Sequence, residues 1–222
     1  MKVVVVGRDA ALWLSANTIR AAFGIEVEVI ELPSLLGASD VYTALPPLEA
    51  MHRLLGIDEA DVLKATRGCF TLGQNFTDGV GTRAPFFHPY GGYGTQIGGQ
   101  AFFPCWLRAR AAGLNVALED FSVTAAAAKQ GRMLIPDSET EAFGRTDYGY
   151  HLPAKAYVDY LRAQAVRRGV SVRNVEAISV ERGEAGIVSV NGVSGDLYID
   201  AGAGLLEVPD MSWDFPGERM MT

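Results

Sequence analysis

Residues 2–31 constrain the fold of this chain more than any other stretch. The run KVVVVG at 2–7 is an unbroken series of β-branched residues closed by glycine. That is the pattern of a strand buried on both faces, as in a parallel sheet. AALWLSANTIRAAF at 10–23 carries Leu12, Ile19 and Phe23 at helical spacing, and Gly24 ends the helix. IEVEVIE at 25–31 alternates and reads as a second strand. A β-α-β unit this short favours a right-handed crossover and a parallel strand pair.

The remainder is less uniform. Residues 32–47 include Pro33, Pro46 and Pro47 and read as a loop. Residues 48–67 read as helices around a break at Gly56, with Asp58 as N-cap and Asp61 as the capping acid. Residues 68–104 are dense in glycine and aromatic side chains, including HPYGGYGTQIGG at 88–99. So long a stretch is expected to be functional or an inserted lobe. Helix is expected again over 106–132, ending near Gly131. AKAYVDYLRAQAVRR at 154–168 predicts an amphipathic helix closed by Gly169. Short strands are expected within 170–182, 186–192 and 196–204, with a hairpin at Val190-Asn191-Gly192. Residues 205–222 show no periodicity.

Charge excludes several partner classes. The chain has 19 Lys and Arg against 26 Asp and Glu, a net charge of -7. Non-specific nucleic-acid binding needs a basic surface, and anionic membranes repel an acidic one. No apolar run approaches the roughly 18 residues of a membrane span, so a cytoplasmic protein is expected. Cys69 and Cys105 form no CxxC and no metal-ligand spacing with histidine, so no metal is expected. Both are expected to be buried small apolar residues.

A strand, a glycine turn, a helix and a second strand ending in an acid are the parts of a dinucleotide cradle. The helix amino end offers free amides and a positive dipole to a diphosphate. Gly7 holds the first glycine position, and Glu31 ends the second strand, where an acid bonds a ribose hydroxyl. The second and third glycine positions are Asp9 and Leu12, so the fingerprint reads G-x-D-x-x-L. Asp9 adds bulk and a like charge, or caps the helix itself and takes the amides a phosphate needs. Leu12 is expected to push helix from strand. Arg8 offsets part of the charge. The same pattern also suits a β-α-β unit that holds no ligand.

Five stretches together resemble the flavin-dependent tryptophan halogenase family, relatives of the flavin aromatic hydroxylases. They are VVVVGRDAALWLSA (3–16), IELPSLLGASDVYTALPPLEAMHRLLGI (30–57), FFHPYGGYG (86–94), YGYHLPAKAYVDYLRAQAVRRGV (148–170) and DLYIDAGAG (196–204). The resemblance implies an α/β fold with an FAD-binding Rossmann-like parallel sheet of the hydroxylase and halogenase type. It also implies an inserted glycine- and aromatic-rich lobe. The expected organisation is 1–67 for the dinucleotide-binding βαβ and helices, 68–153 for the inserted lobe, 154–205 for the returning helix and strands, and 206–222 for an irregular tail. The family's later part, with its Trp-x-Trp-x-Ile-Pro signature and catalytic glutamate, has no counterpart in these residues, so a truncated, diverged member is expected.

The resemblance further implies FAD, reduced by a separate flavin reductase, and oxygen-dependent halogenation or monooxygenation of a small aromatic substrate. Gly7, Arg8, Asp9, Glu31 and Asp200 are the expected cofactor contacts. The family lysine that delivers the halogen falls on Thr71, after Gly68-Cys69-Phe70, and threonine cannot form a haloamine. The Gly-Glu-Ser-Thr-Ile-Pro motif reads Val41-Tyr42-Thr43-Ala44-Leu45-Pro46, without its acid. His88, Tyr90, Tyr93 and Phe103 are candidates for a substrate pocket, and clustered aromatics equally suit a core. His151 precedes Leu152-Pro153, where Pro153 simply starts the next helix; His52 reads as a surface or packing residue. Three functions stay open: a flavoprotein of this family, a non-catalytic remnant or partner of a full-length homologue, and a flavin-free binder of small aromatic ligands.

Overall fold

The computed structural model describes residues 1–82, 84–133, 147–184 and 186–205. The expected irregular tail over 206–222 lies outside them. The chain divides into two compact units, Met1–Leu36 with Leu161–Thr222, and Gly37–Tyr160.

In the first unit, β1 (Lys2–Gly7) and β2 (Glu26–Glu31) pair in parallel, from Lys2 opposite Glu26 to Gly7 opposite Glu31. β8 (Ser171–Asn174) adds to β2 and β11 (Leu197–Ala201) adds to β1, both parallel, so the order is β11-β1-β2-β8. The valine run is buried throughout, as its composition requires. Side chains alternate across a strand. Val4, Val6 and Ile30 therefore share one face with Val190, Val193 and Leu205. α1 (Asp9–Phe23) packs on β1 and β2, and Leu12, Trp13 and Ala16 are buried along it. Leu12, expected to push the helix off the strand, is fully buried with α1 still seated on the sheet.

Gly24 ends α1 at φ 64, a left-handed conformation glycine adopts freely. Helix α6 (Ala154–Arg167) contributes its part from Leu161 onward to this unit. Asn17 of α1 is fully buried and donates to the carbonyls of Trp13 (2.8 Å) and Leu161 (3.0 Å), while Arg168 Nη1 donates to its Oδ1 at 2.6 Å. A buried amide is tolerated because its polar atoms are bonded. β9 (Val180–Gly183) and β10 (Gly186–Val190) form an antiparallel pair. The turn expected at Val190-Asn191-Gly192 is present. Val190 and Val193 exchange backbone bonds of 3.0 and 2.9 Å, with Asn191 at φ 48 and Gly192 at φ 74, the signs of a type I′ turn.

In the second unit, β3 (Val41–Ala44), β7 (Gly149–Pro153) and β4 (Cys69–Thr71) form an antiparallel sheet with β7 central. α2 (Pro47–Leu54) and α3 (Glu59–Thr66) pack on β7. Asp58 caps α3 as expected, its Oδ1 accepting from the Asp61 amide at 3.0 Å. β5 (Gly73–Phe76) and β6 (Phe86–Pro89) pair as a hairpin. α4 (Phe102–Ala111), a 3-10 turn at Leu118–Phe121 and α5 (Val123–Lys129) follow.

Three expectations need correction. Residues 32–47 are not all loop, because β3 lies there; four residues carry too little period to announce a strand that exists only through β7. The helix expected over 106–132 is broken after Ala111, where Gly113 sits at φ 104, and restarts at Val123 under the Ser122 hydroxyl, which accepts from the Ala125 amide at 3.3 Å. Neither cysteine is buried. Cys69 is exposed on the short strand β4, and Cys105 is half-buried with its Sγ 3.4 Å from Arg108 Nη2. Among the described residues no helix is long and apolar enough to cross a membrane.

Candidate functional site

In the first unit the carboxyl ends of β1, β2 and β11 deliver the sequence-predicted residues to one edge of the parallel sheet, where ligands of open α/β sheets bind. Gly7 is required by close approach: a Cβ there would overlap the Ala201 carbonyl. Its own carbonyl accepts from the Leu32 amide at 2.8 Å.

Asp9, the first residue of α1, holds φ 57, the left-handed region a glycine would occupy without strain. Its carboxylate does not cap the helix. Oδ1 accepts from the Ser34 hydroxyl at 2.5 Å and Oδ2 from the Leu35 amide at 3.3 Å. α1 therefore begins with no side-chain cap. Arg8 does not reach Asp9 in an ion pair; its Nη1 donates to the Pro33 carbonyl at 3.2 Å, and its Nε is buried without a hydrogen-bond partner. An uncapped helix amino end, an acid turned aside and an orphaned guanidinium nitrogen fit a diphosphate group.

Glu31 is engaged within the protein. Its Oε1 accepts from Trp13 Nε1 at 3.2 Å and its Oε2 from Arg162 Nε at 3.1 Å. The Arg162 guanidinium also lies over the Trp13 ring, 5.6 Å from its centroid. Each carboxylate oxygen keeps acceptor capacity beyond these bonds. Asp200 is turned into its own loop, accepting from the amides of Ala203 (2.6 Å), Gly204 (3.2 Å) and Leu205 (2.7 Å). It shapes the Gly202–Gly204 turn beside Gly7, which Gly202 bridges.

The lobe candidates lie in the second unit. Thr71, buried at the end of β4, donates its hydroxyl to the Gly73 carbonyl at 3.0 Å. With Phe70, Leu72, Phe87, Arg132 and Met133 it lines a cleft of about 420 Å³. His88 Nδ1 lies 2.9 Å from the Tyr93 hydroxyl, and the rings stack at 6.3 Å. Burial, then Glu119, pushes the Tyr93 phenol up from its ordinary value. Burial likewise raises Tyr90, with Gln74 acting the other way. Phe103 stacks on Trp106 at 6.0 Å and is exposed, whereas Phe102 packs on Phe121. None of these four lines the Thr71 cleft.

No motif marks Ser34, and nothing in the sequence announces the partners of Glu31. His52 packs in a buried cluster with Tyr157 and Tyr150 whose partners no local pattern announces. No group of His, Cys, Asp and Glu among the described residues could hold a metal.

The tryptophan halogenase family profile matches residues 2–206. A flavin-dependent halogenase from Brevundimonas sp. BAL3 is 30% identical with a TM-score of 0.78, covering 90% of this chain and 41% of that one. A flavin-dependent halogenase from Xanthomonas campestris is 26% identical with a TM-score of 0.76, covering 89% of this chain and 41% of that one. A tryptophan 6-halogenase from Streptomyces toxytricini, 22% identical with a TM-score of 0.73, covers 90% of this chain and 43% of that one and shares the fold. The chain thus spans less than half the length of these solved proteins. With the parallel sheet and the expected mixed α/β architecture in place, the chain belongs to the tryptophan halogenase family.

Proposed function

We propose that this chain binds FAD through its first unit and is the nucleotide-holding part of an oxygen-dependent halogenase or monooxygenase system acting on a small aromatic compound. The observation that carries the reading is the amino end of α1. It has no side-chain cap, and the carboxylate that replaces the fingerprint glycine is turned onto Ser34 and Leu35. The Ala10 and Ala11 amides would receive the diphosphate. Glu31, fixed by Trp13 and Arg162, would accept from the adenosine ribose. Asp200 would act indirectly, by holding the Gly202–Gly204 turn in place.

Reduced FAD would supply the electrons that activate oxygen, and a flavin reductase would be the source of the reduced form. Thr71 carries no amine, and its hydroxyl is committed to Gly73. Halogen transfer through a lysine at this position is therefore not part of the reading, and hydroxylation-type chemistry suits it better. The test is a titration of the purified chain into FAD, followed by flavin fluorescence. Saturable quenching supports the reading; a folded chain that leaves the fluorescence unchanged rejects it.

A second reading rests on the Thr71 cleft. At about 420 Å³ it falls in the range of small-ligand pockets, and its described lining is largely apolar and includes the cation Arg132. It would hold an indole or phenol without flavin. Such ligands raising the melting temperature of flavin-free protein would favour this reading. Pairing with a longer homologue is the third arrangement, read directly as co-elution in size-exclusion chromatography.

A further inference from the structure

We propose that Ser34 is a positioning residue: it holds the Asp9 carboxylate off the amino end of α1 and so keeps a diphosphate cradle open where the second fingerprint glycine has become an acid. The inference rests on the FAD reading above, and its test is arranged so that the two fail separately.

An aspartate at a helix start has a competing use close at hand, because its oxygens can accept from the helix's own first amides. In that position it would occupy the donors a diphosphate needs and set a negative charge beside the ligand. Here the carboxylate is instead bound on both oxygens by the segment that follows β2. Ser34 Oγ donates to Oδ1 at 2.5 Å, and the Leu35 amide donates to Oδ2 at 3.3 Å. The Ser34 hydroxyl is itself fixed, since its oxygen accepts from the Leu36 amide at 3.1 Å and its hydrogen is directed at Asp9. A second tie runs alongside, from Arg8 Nη1 to the Pro33 carbonyl at 3.2 Å. Residues 33–35 are thus fastened to the start of α1 at two adjacent residues.

Loss of the hydroxyl leaves only the long Leu35 bond on Asp9. The side chain is then free to rotate onto the amides of α1. Serine at 34 and aspartate at 9 therefore act as a unit, and the consequence of removing Ser34 depends on Asp9 being present.

The test uses the full chain in two arms. In the first, backbone amide shifts are followed by NMR as Asp9 titrates, with Asp9→Asn as the control that removes the titration. The wild type should show the Leu35 amide moving with Asp9, and Ser34→Ala should transfer that response to the first amides of α1. First-turn amides that follow Asp9 in the wild type, or a pattern unchanged by Ser34→Ala, overturn the proposal. In the second arm, Ser34→Ala should weaken FAD about tenfold, and the same change in an Asp9→Gly background should have no effect. An equal loss in both backgrounds overturns the proposal. If neither the wild type nor Asp9→Gly takes up FAD while Leu35 still follows Asp9, the FAD reading falls and the role of Ser34 in placing the carboxylate stands.

Discussion

His52 Nε2 lies 2.6 Å from the hydroxyl of Tyr157, and the histidine is 3% exposed. The ring stacks on Tyr150 at 6.2 Å, and the Tyr150 hydroxyl donates to Glu59 at 2.5 Å. α2, α3, β7 and α6 are therefore joined through one polar cluster. Burial lowers the His52 pKa below its ordinary 6.5, with Glu59 opposing. In the unfolded chain the histidine takes up its proton first as pH falls. The stabilisation is complete above about 6.5 and is lost progressively below it. Melting curves of the wild type should therefore decline as pH drops from 7 to 5. His52→Gln should show a flatter dependence over the same range. Parallel curves for the two proteins would contradict this.

Glu59 accepts from two phenols, Tyr148 at 2.9 Å and Tyr150 at 2.5 Å. Burial, then the Glu59 carboxylate, pushes Tyr148 up to about 12, and Tyr150 rises further for the same causes. Glu59→Ala removes the carboxylate that accepts from both hydroxyls and should cost about 2 kcal/mol or more in urea denaturation. Glu59→Gln keeps an acceptor and should cost less. It should also bring the Tyr148 titration down towards that of an ordinary phenol in an ultraviolet pH titration.

Gly7→Ala should be among the most damaging single changes in the first unit. The added methyl meets the Ala201 carbonyl oxygen, its carbon and the Ala201 Cβ. All three belong to β11, whose register on β1 is fixed by Val3 to Val6. A loss of about 3 kcal/mol or more, or failure to fold, is expected in chemical denaturation. A wild-type midpoint would show that β11 can shift.

Glu31 and Arg162 should differ in their effect on stability although they form one ion pair. Arg162 is 40% exposed at its side chain, and removing it should cost under about 1 kcal/mol. Glu31→Ala leaves the indole nitrogen of the fully buried Trp13 without its acceptor and should cost about 1–3 kcal/mol. Thermal denaturation of the two variants side by side distinguishes them.

The first unit was legible in the sequence because its signals are local and dense. The valine run, Gly24 and the alternation at 25–31 state the β-α-β unit within one window, and Asn191-Gly192 announces a turn; in the second unit Asp58 announces a helix cap in the same way, through its own side chain. β3 and β7 were not legible. Each is short and exists only through a partner far along the chain, and Val41-Tyr42-Thr43-Ala44 lies among prolines that read as loop. The placement of Gly7, Asp9 and Glu31 at the carboxyl ends of β1 and β2 was legible as a pattern, but not the direction of their side chains. Nothing near Asp9 in sequence says that its carboxylate turns to Ser34. Nor does anything near Asp200 in sequence say that its carboxylate accepts from the amides of Ala203, Gly204 and Leu205. His52, expected as a surface or packing residue, is a packing residue, but its bond to Tyr157 on another helix has no local signal.

Whether the amino end of α1 receives the diphosphate of FAD is decided by equilibrium dialysis of the purified chain against FAD, FMN and riboflavin. Saturable uptake of about one FAD per chain is expected, with FMN weaker and riboflavin weakest, because the adenosine diphosphate portion would supply most of the contacts. Equal uptake of all three, or no uptake of FAD by a chain that melts cooperatively, would contradict it.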